Sequence, residues 1–148
     1  MAPREVLLTE RQVQDRVSEL ARQIASDYGD TSILLVGVLK GSFVFLSDLM
    51  RQLGPNVEVD FVQTSSYGDG NSTSGVVQIR KDLDISIEGS DVLIVEDIVD
   101  TGLTLAHMRE LLMTREPRSL RVCALLDKRE ARLSSVPIDF VGFTIPNS

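Results

Sequence analysis

The chain has 148 residues, with 15 Lys and Arg against 22 Asp and Glu, which gives a formal net charge of −7. This length predicts one domain spanning residues 1–148, and the charge disfavours nucleic acid and anionic membrane surfaces as partners. No apolar run reaches the roughly 20 residues of a membrane span. The single cysteine, Cys123, excludes an internal disulfide, so we expect a buried thiol and a reducing, cytoplasmic compartment.

The first half of the chain alternates between helical and strand patterns. Apolar residues recur every three or four positions at first, and then come in short continuous or alternating runs. The predicted elements are a helix at 9–28 with a Thr9–Gln12 capping box, a buried strand at 32–39, a helix at 41–53 and a half-buried strand at 57–64.

The second half begins with its most loop-like segment, "SSYGDGNSTSG" at 65–75, which is rich in Gly, Ser, Asn and Asp. A returning strand after it predicts a mobile loop or hairpin near 65–80. The remaining predicted elements are strands at 76–80, 92–97, 120–128 and 139–145, a turn at 88–91, and a helix from Thr104 to about Arg115.

Strands alternating with helices predict an α/β fold with a mainly parallel sheet flanked by helices. In such folds, ligands bind beyond the carboxyl ends of the strands. Three chemically unusual segments fall at predicted strand ends, so we expect them to meet in one site. They are "LKGS" at 39–42, "EDIVDTGLT" at 96–104 and "DKREAR" at 127–132.

The segment "EDIVDTGLT" combines three acids with Thr-Gly-Leu-Thr at the start of a helix. Unpaired N–H groups at a helix N-terminus, with the hydroxyls of Thr101 and Thr104, suit a phosphate monoester. Glu96 and Asp97 suit sugar hydroxyls or a hard cation such as Mg²⁺. The pattern therefore indicates a phosphorylated sugar, against the plainer alternative of an acidic loop with an N-capping side chain.

Other motifs are less well supported. Asp-Thr-Gly also marks aspartic proteases, but there it lies in a hairpin loop, whereas a helical pattern follows here. The nucleotide-binding motif Gly-x-x-x-x-Gly-Lys-Ser/Thr is absent. His107, the only histidine, lies off the apolar stripe of its helix, so we expect it in solvent, and no His or Cys cluster supports a zinc site.

Taken together, "VLIVEDIVDTGLTL" resembles the phosphoribosyl-pyrophosphate signature of the purine phosphoribosyltransferase family. "GVLKGSFVFLSDL" resembles its pyrophosphate loop, "SSYG" its lid, and "VCALLDKREAR" with "VPIDFVGFTIP" its purine-reading segment. The four motifs keep the family order over nearly the whole chain. The branch that it resembles most is the bacterial-type hypoxanthine (hypoxanthine-guanine) phosphoribosyltransferases, which implies a type I phosphoribosyltransferase fold.

The resemblance implies transfer of a 5-phosphoribosyl group from phosphoribosyl pyrophosphate to a 6-oxopurine, with Mg²⁺ as cofactor. Asp100 matches the family's general base, and Lys128 matches the donor to purine O6, which would reject adenine. The other matched positions are Glu96, Asp97, Ile98, Thr101, Gly102, Leu103 and Thr104 for the ribose phosphate, Glu96 and Asp97 also for the metal, Lys40, Gly41 and Arg132 for pyrophosphate, and Ser66 and Tyr67 for the lid.

Some of these positions are ambiguous when taken alone. Lys40 by itself reads as a solvated lysine at a strand end, and Tyr67 as a surface aromatic. The family sequence continues beyond "FTIPNS", so the resemblance implies a domain truncated at its C-terminus, with a half-built purine pocket. It also implies a homodimer or homotetramer. A non-catalytic regulator of the same fold that binds phosphoribosyl pyrophosphate remains the alternative.

Overall fold

The first helix begins where the capping box predicts. In the computed structural model, which describes residues 8–66 and 77–146, α1 spans Glu10–Tyr28. The Thr9 hydroxyl accepts the Gln12 N–H at 3.1 Å, and the Gln12 side chain accepts the Thr9 N–H at 2.8 Å. Two otherwise unpaired backbone donors are thereby satisfied, which fixes the start of the helix.

The remaining elements follow the predicted alternation of strands and helices. The other helices are α2 (Phe43–Leu53), α3 (Leu103–Met113) and a single 3₁₀ turn at Arg129–Ala131. The strands are β1 (Ile33–Leu39), β2 (Val57–Ser66), β3 (Val77–Lys81), β4 (Asp91–Val99), β5 (Ser119–Asp127) and β6 (Phe140–Thr144). The predicted strand at 92–97 is longer at its carboxyl end, so Ile98 and Val99 also lie within β4 with Glu96 and Asp97.

One six-stranded sheet has the order β3-β2-β1-β4-β5-β6. All its pairings are parallel except that of β2 with β3, which is antiparallel, so the predicted hairpin is confirmed. The predicted lid, with Tyr67 and the side chain of Ser66, lies outside the described residues. The chain order reverses between β1 and β4, and such a switch point opens a crevice at the carboxyl ends of its two strands.

The sheet separates two apolar clusters. On one face, α1 and α2 pack against the central strands through Leu20, Ile24, Leu46 and Leu49, which meet Leu35, Leu93 and Cys123. On the other face, α3 packs through Leu105, Met108 and Leu112, which meet Val36, Ile94 and Val122. Because both faces are covered, the central strands are continuously apolar, as predicted.

Two sequence predictions about single residues are confirmed here. Cys123 is fully buried, and burial raises the pKa of its thiol to about 12, so it is a core residue and a poor nucleophile. His107 is exposed on α3. Within the described ranges, no helix is long and apolar enough to cross a membrane.

Candidate active site

The carboxyl ends of the parallel strands bring the three unusual segments to the same edge of the sheet. A cleft of about 790 Å³ opens there between the end of β4, the start of α3 and the turn after β5. Seven predicted site residues line it: Glu96, Ile98, Asp100, Thr101, Gly102, Thr104 and Lys128. The predicted convergence of the second and third segments is therefore observed.

Asp100 and Lys128 form an ion pair at the mouth of this cleft. Lys128 Nζ lies 3.4 Å from Asp100 Oδ1, and the two side chains are 29% and 54% exposed. The backbone N–H of Lys128 donates to the carbonyl oxygen of Val99 at 2.9 Å. A proton donor and a carboxylate acceptor therefore lie side by side, with the lysine backbone held by the end of β4.

The loop at 100–104 presents the amino end of α3 to the cleft. Gly102 is the residue before the helix, with φ +79°, and a Cβ atom there would lie 2.8 Å from Ser134 Oγ and 2.9 Å from Arg132 Cδ. Gly102 is matched to the ribose phosphate by the family resemblance. The structure gives a local reason for glycine, because residues 132–136 pack against its Cα and the left-handed φ disfavours other residues.

Glu96 and Asp97 are consecutive on β4, so their side chains leave opposite faces of the strand. Glu96 lines the cleft. Asp97 faces the other side, where its Cβ lies 3.7 Å from the position of a Cβ on Gly41. The Lys40–Gly41 segment therefore adjoins Asp97 across the switch point, and the peptide bond between Leu39 and Lys40 is cis.

The two carboxyl groups are electrostatically unsatisfied. Burial, and secondarily the charge of Asp97, raises the pKa of Glu96 to about 8, and burial also raises the pKa of Asp97. In residues 8–66 and 77–146, no Lys or Arg nitrogen lies within 4.0 Å of either carboxylate. Hard oxygen donors without a cationic partner fit Mg²⁺ or sugar hydroxyls.

The raised pKa of Glu96 predicts how stability depends on pH. Between about pH 4.5 and 8 the folded state holds a proton that the unfolded state has released, so stability falls as pH rises through this range. The slope cannot exceed about 1.4 kcal/mol per pH unit for one proton. Urea unfolding of Glu96→Gln without divalent ions should show a flatter pH dependence than the wild type, whereas Glu88→Gln, an exposed control, should not.

Arg132 is placed differently from the other predicted site residues. Its guanidinium forms an ion pair with Asp127, the last residue of β5, and donates to the carbonyl oxygen of Asp100 at 3.4 Å. The two paired side chains are only 16% and 6% exposed. Pyrophosphate binding by Arg132 stays a prediction, since its contacts are with protein groups.

Some residues at the site were not predicted. Val99, Leu105, Glu130, Ala131 and Leu133 also line the cleft. Leu133 is 61% exposed, and its one sequence signal is that it is an apolar residue next to the charged run "DKREAR". Ser134 gave no local signal, because its importance comes from a contact with Gly102 in another segment. Asp127 begins the segment "DKREAR" but was assigned no role of its own, and it pairs with Arg132.

A doubly wound sheet, with the amino end of a helix and an acidic pair beside its switch point, is the arrangement expected of a phosphoribosyltransferase. Residues 4–148 match the phosphoribosyl transferase domain family, and the chain belongs to that family. The hypoxanthine-guanine phosphoribosyltransferase of Dictyostelium discoideum is 54% identical over 147 residues, which cover 97% of this chain and 82% of that protein. The hypoxanthine phosphoribosyltransferase of Escherichia coli K12 is 51% identical over 145 residues, with the same coverage of both chains.

Solved structures agree with these relatives. A crystal structure of a hypoxanthine-guanine phosphoribosyltransferase from Bacillus anthracis superposes with a TM-score of 0.93 at 42% identity, covering 99% of this chain and 87% of that one. A hypoxanthine phosphoribosyltransferase from Staphylococcus aureus gives 0.93 at 44% identity, covering 97% and 78%. The predicted fold, enzyme class and branch of the family are confirmed.

Proposed function

We propose that the protein transfers the 5-phosphoribosyl group of phosphoribosyl pyrophosphate to hypoxanthine or guanine, giving IMP or GMP and pyrophosphate in purine salvage. The observation that carries this proposal is the Lys128–Asp100 pair, 3.4 Å apart, beside the amino end of α3. The pair would serve the purine, and the amino end of α3 in the same cleft would serve the phosphate.

The loop at 100–104 is the proposed site of the 5′-phosphate. The first N–H groups of α3 have no partners within the helix and carry the positive end of its dipole. Thr101 and Thr104 add hydroxyl groups from the cleft wall. The backbone N–H of Leu103 donates to Thr101 Oγ1 at 3.3 Å, so an incoming phosphate would take the place of that hydroxyl to reach it. An anion at this position needs no basic side chain, which is consistent with the acidic composition of the chain.

Glu96 and Asp97 are proposed to hold the ribose hydroxyls and Mg²⁺, with Ile98 as an apolar neighbour. In the part of the chain that the structure describes, no three acidic, His or Cys side chains cluster as a metal cage. Mg²⁺ commonly binds through one or two carboxylates together with substrate phosphates, so a single acid on either face of β4 is enough. When bound, the ion would neutralise charge on the leaving pyrophosphate.

Lys40 and Gly41 are proposed to contact the pyrophosphate. They follow β1 directly, on the opposite side of the switch point from the 100–104 loop. Gly41 adjoins Asp97, so a diphosphate at this position would lie next to a proposed metal ligand. The carboxylates also favour a sugar that gains positive charge as the bond to pyrophosphate breaks.

The base is proposed to bind with O6 toward Lys128 and N7 toward Asp100. These two positions are neighbouring acceptors on a 6-oxopurine in a nucleotide. As the bond between N9 and the anomeric carbon forms and the bond to pyrophosphate breaks, Asp100 takes the proton from N7. Adenine carries an amino donor at C6, which cannot accept from the Lys128 ammonium, so the site would reject it.

We also propose that the chain acts in the cytoplasm as a homodimer or homotetramer. Support for assembly comes from Phe43 and Val44, which are 58% and 57% exposed on α2. The buried Cys123 suits a reducing compartment. A non-catalytic regulator is less favoured, because the proposed base, Asp100, and the proposed donor to O6, Lys128, both line the cleft.

The direct test is turnover of the purified chain with phosphoribosyl pyrophosphate, Mg²⁺ and each of hypoxanthine, guanine and adenine. Chromatography should detect IMP and GMP, with pyrophosphate in equal amount, and no AMP. Formation of AMP would contradict the proposed role of Lys128. A folded chain that binds phosphoribosyl pyrophosphate without making any nucleotide would favour the regulator.

A further inference from the structure

Residues 132–134 form hydrogen bonds to three carbonyl groups of the 100–104 loop. Three consecutive carbonyl oxygens accept hydrogen bonds from three consecutive residues after the 3₁₀ turn. The bonds run from Arg132 Nη1 to Asp100 O at 3.4 Å, from Leu133 N to Thr101 O at 2.8 Å, and from Ser134 Oγ to Gly102 O at 3.1 Å. Gly102 O also accepts the Ala106 N–H at 2.9 Å, in the first turn of α3, so Ser134 adds to a restraint that the helix already supplies.

This pattern sets the direction of the loop's N–H groups. In a trans peptide, the carbonyl and the following N–H point in opposite directions. Carbonyls turned toward residues 132–134 therefore turn the N–H groups of Thr101, Gly102 and Leu103 away from that segment. The Leu103 N–H meets Thr101 Oγ1 at 3.3 Å. Because carbonyl oxygens carry negative partial charge, the same arrangement keeps three of them away from an incoming anion.

The segment that holds the loop is itself anchored. Arg132 is paired with the buried carboxylate of Asp127 at the end of β5. This ion pair fixes the position of the guanidinium that donates to the carbonyl oxygen of Asp100. Ser134 and Arg132 also fill the space next to the Cα of Gly102, leaving no room for a Cβ. The loop is therefore fixed both by hydrogen bonds and by packing.

We infer that Arg132 and Ser134 are positioning residues, which hold the 100–104 loop in its anion-binding form without touching the substrate. The inference rests on the proposed function, since it assigns these residues to the 5′-phosphate position of that site. It gives Arg132 a role through the loop, in place of the direct contact with pyrophosphate that the family resemblance implies.

The test compares a ligand that carries the 5′-phosphate with one that lacks it. Calorimetric titration of the full chain with IMP and with inosine gives the ratio of the two dissociation constants. Loss of one neutral hydrogen bond in Ser134→Ala should weaken IMP about fivefold, and Arg132→Lys should weaken it about tenfold or more, while inosine is unchanged. Ser135→Ala, an exposed neighbour outside the three hydrogen bonds, is the control.

The possible results are distinct. A purely structural role would weaken IMP and inosine equally, or neither, in variants whose circular dichroism matches the wild type, and would overturn the inference. Ser134→Ala removes one oxygen only, so it tests the idea even if Arg132→Lys does not fold. If the wild type binds IMP no more tightly than inosine, the proposed phosphate site fails, and this inference fails with it.

Discussion

Replacing Asp100 by asparagine is expected to lower kcat for IMP formation by about two to four orders of magnitude, the usual contribution of a positioned general base. Asparagine keeps the shape of the side chain but cannot take a proton. Because Asp100 lies at the mouth of the cleft, 3.4 Å from Lys128 Nζ, its loss should leave the binding of phosphoribosyl pyrophosphate nearly intact. Steady-state kinetics with both substrates varied would separate the two effects.

Asp30→Asn provides the matched control for this variant. Asp30 is exposed between α1 and β1, at the amino ends of the strands and thus at the edge opposite to the cleft. Its loss removes the same charge from the chain and should leave kcat unchanged. A wild-type kcat in Asp100→Asn would show that Asp100 is not the base.

Replacing Lys128 by alanine is expected to raise KM for hypoxanthine about ten- to hundredfold, since hydrogen bonds to charged groups contribute about 1.5–3 kcal/mol. KM for phosphoribosyl pyrophosphate should change little. Alanine also removes the donor that rejects adenine, so the ratio of kcat/KM for hypoxanthine to that for adenine should fall. Initial rates with each base at saturating phosphoribosyl pyrophosphate would measure this ratio.

Arg129→Ala is the control for the loss of positive charge at this turn. Arg129 directly follows Lys128, is exposed, and does not line the 790 Å³ cleft. If both variants raised KM for hypoxanthine equally, a general effect of charge would explain the result, and the specific donation from Lys128 to O6 would be wrong.

Local patterns were sufficient to predict most of the fold. The capping box at Thr9 and the 3.6-residue spacing after it mark α1, and continuous apolar runs mark β1, β4 and β5, because these strands are covered on both faces. Convergence of the site followed from a general property of parallel sheets, in which ligands gather at the carboxyl ends of the strands.

Contacts between distant segments could not be predicted in the same way. The hydrogen bonds of Arg132 and Ser134 join residues 32 positions apart, and no periodicity in the sequence encodes them. The strand order that places Lys40–Gly41 beside Asp97 likewise arises from packing of the whole sheet. The extension of β4 to Val99 depends on pairing with β5, which a polar local sequence such as "EDIV" does not reveal.

The most direct test of the proposed site is calorimetric titration of the folded chain with phosphoribosyl pyrophosphate and Mg²⁺, beside the variants Asp97→Asn and Asp30→Asn. We predict clear binding by the wild type and by Asp30→Asn, and affinity at least about tenfold lower for Asp97→Asn. Two results would contradict the assignment of the switch-point crevice as a sugar-phosphate site. One is the absence of any heat of binding from a wild-type sample that has native circular dichroism. The other is equal affinity in all three proteins.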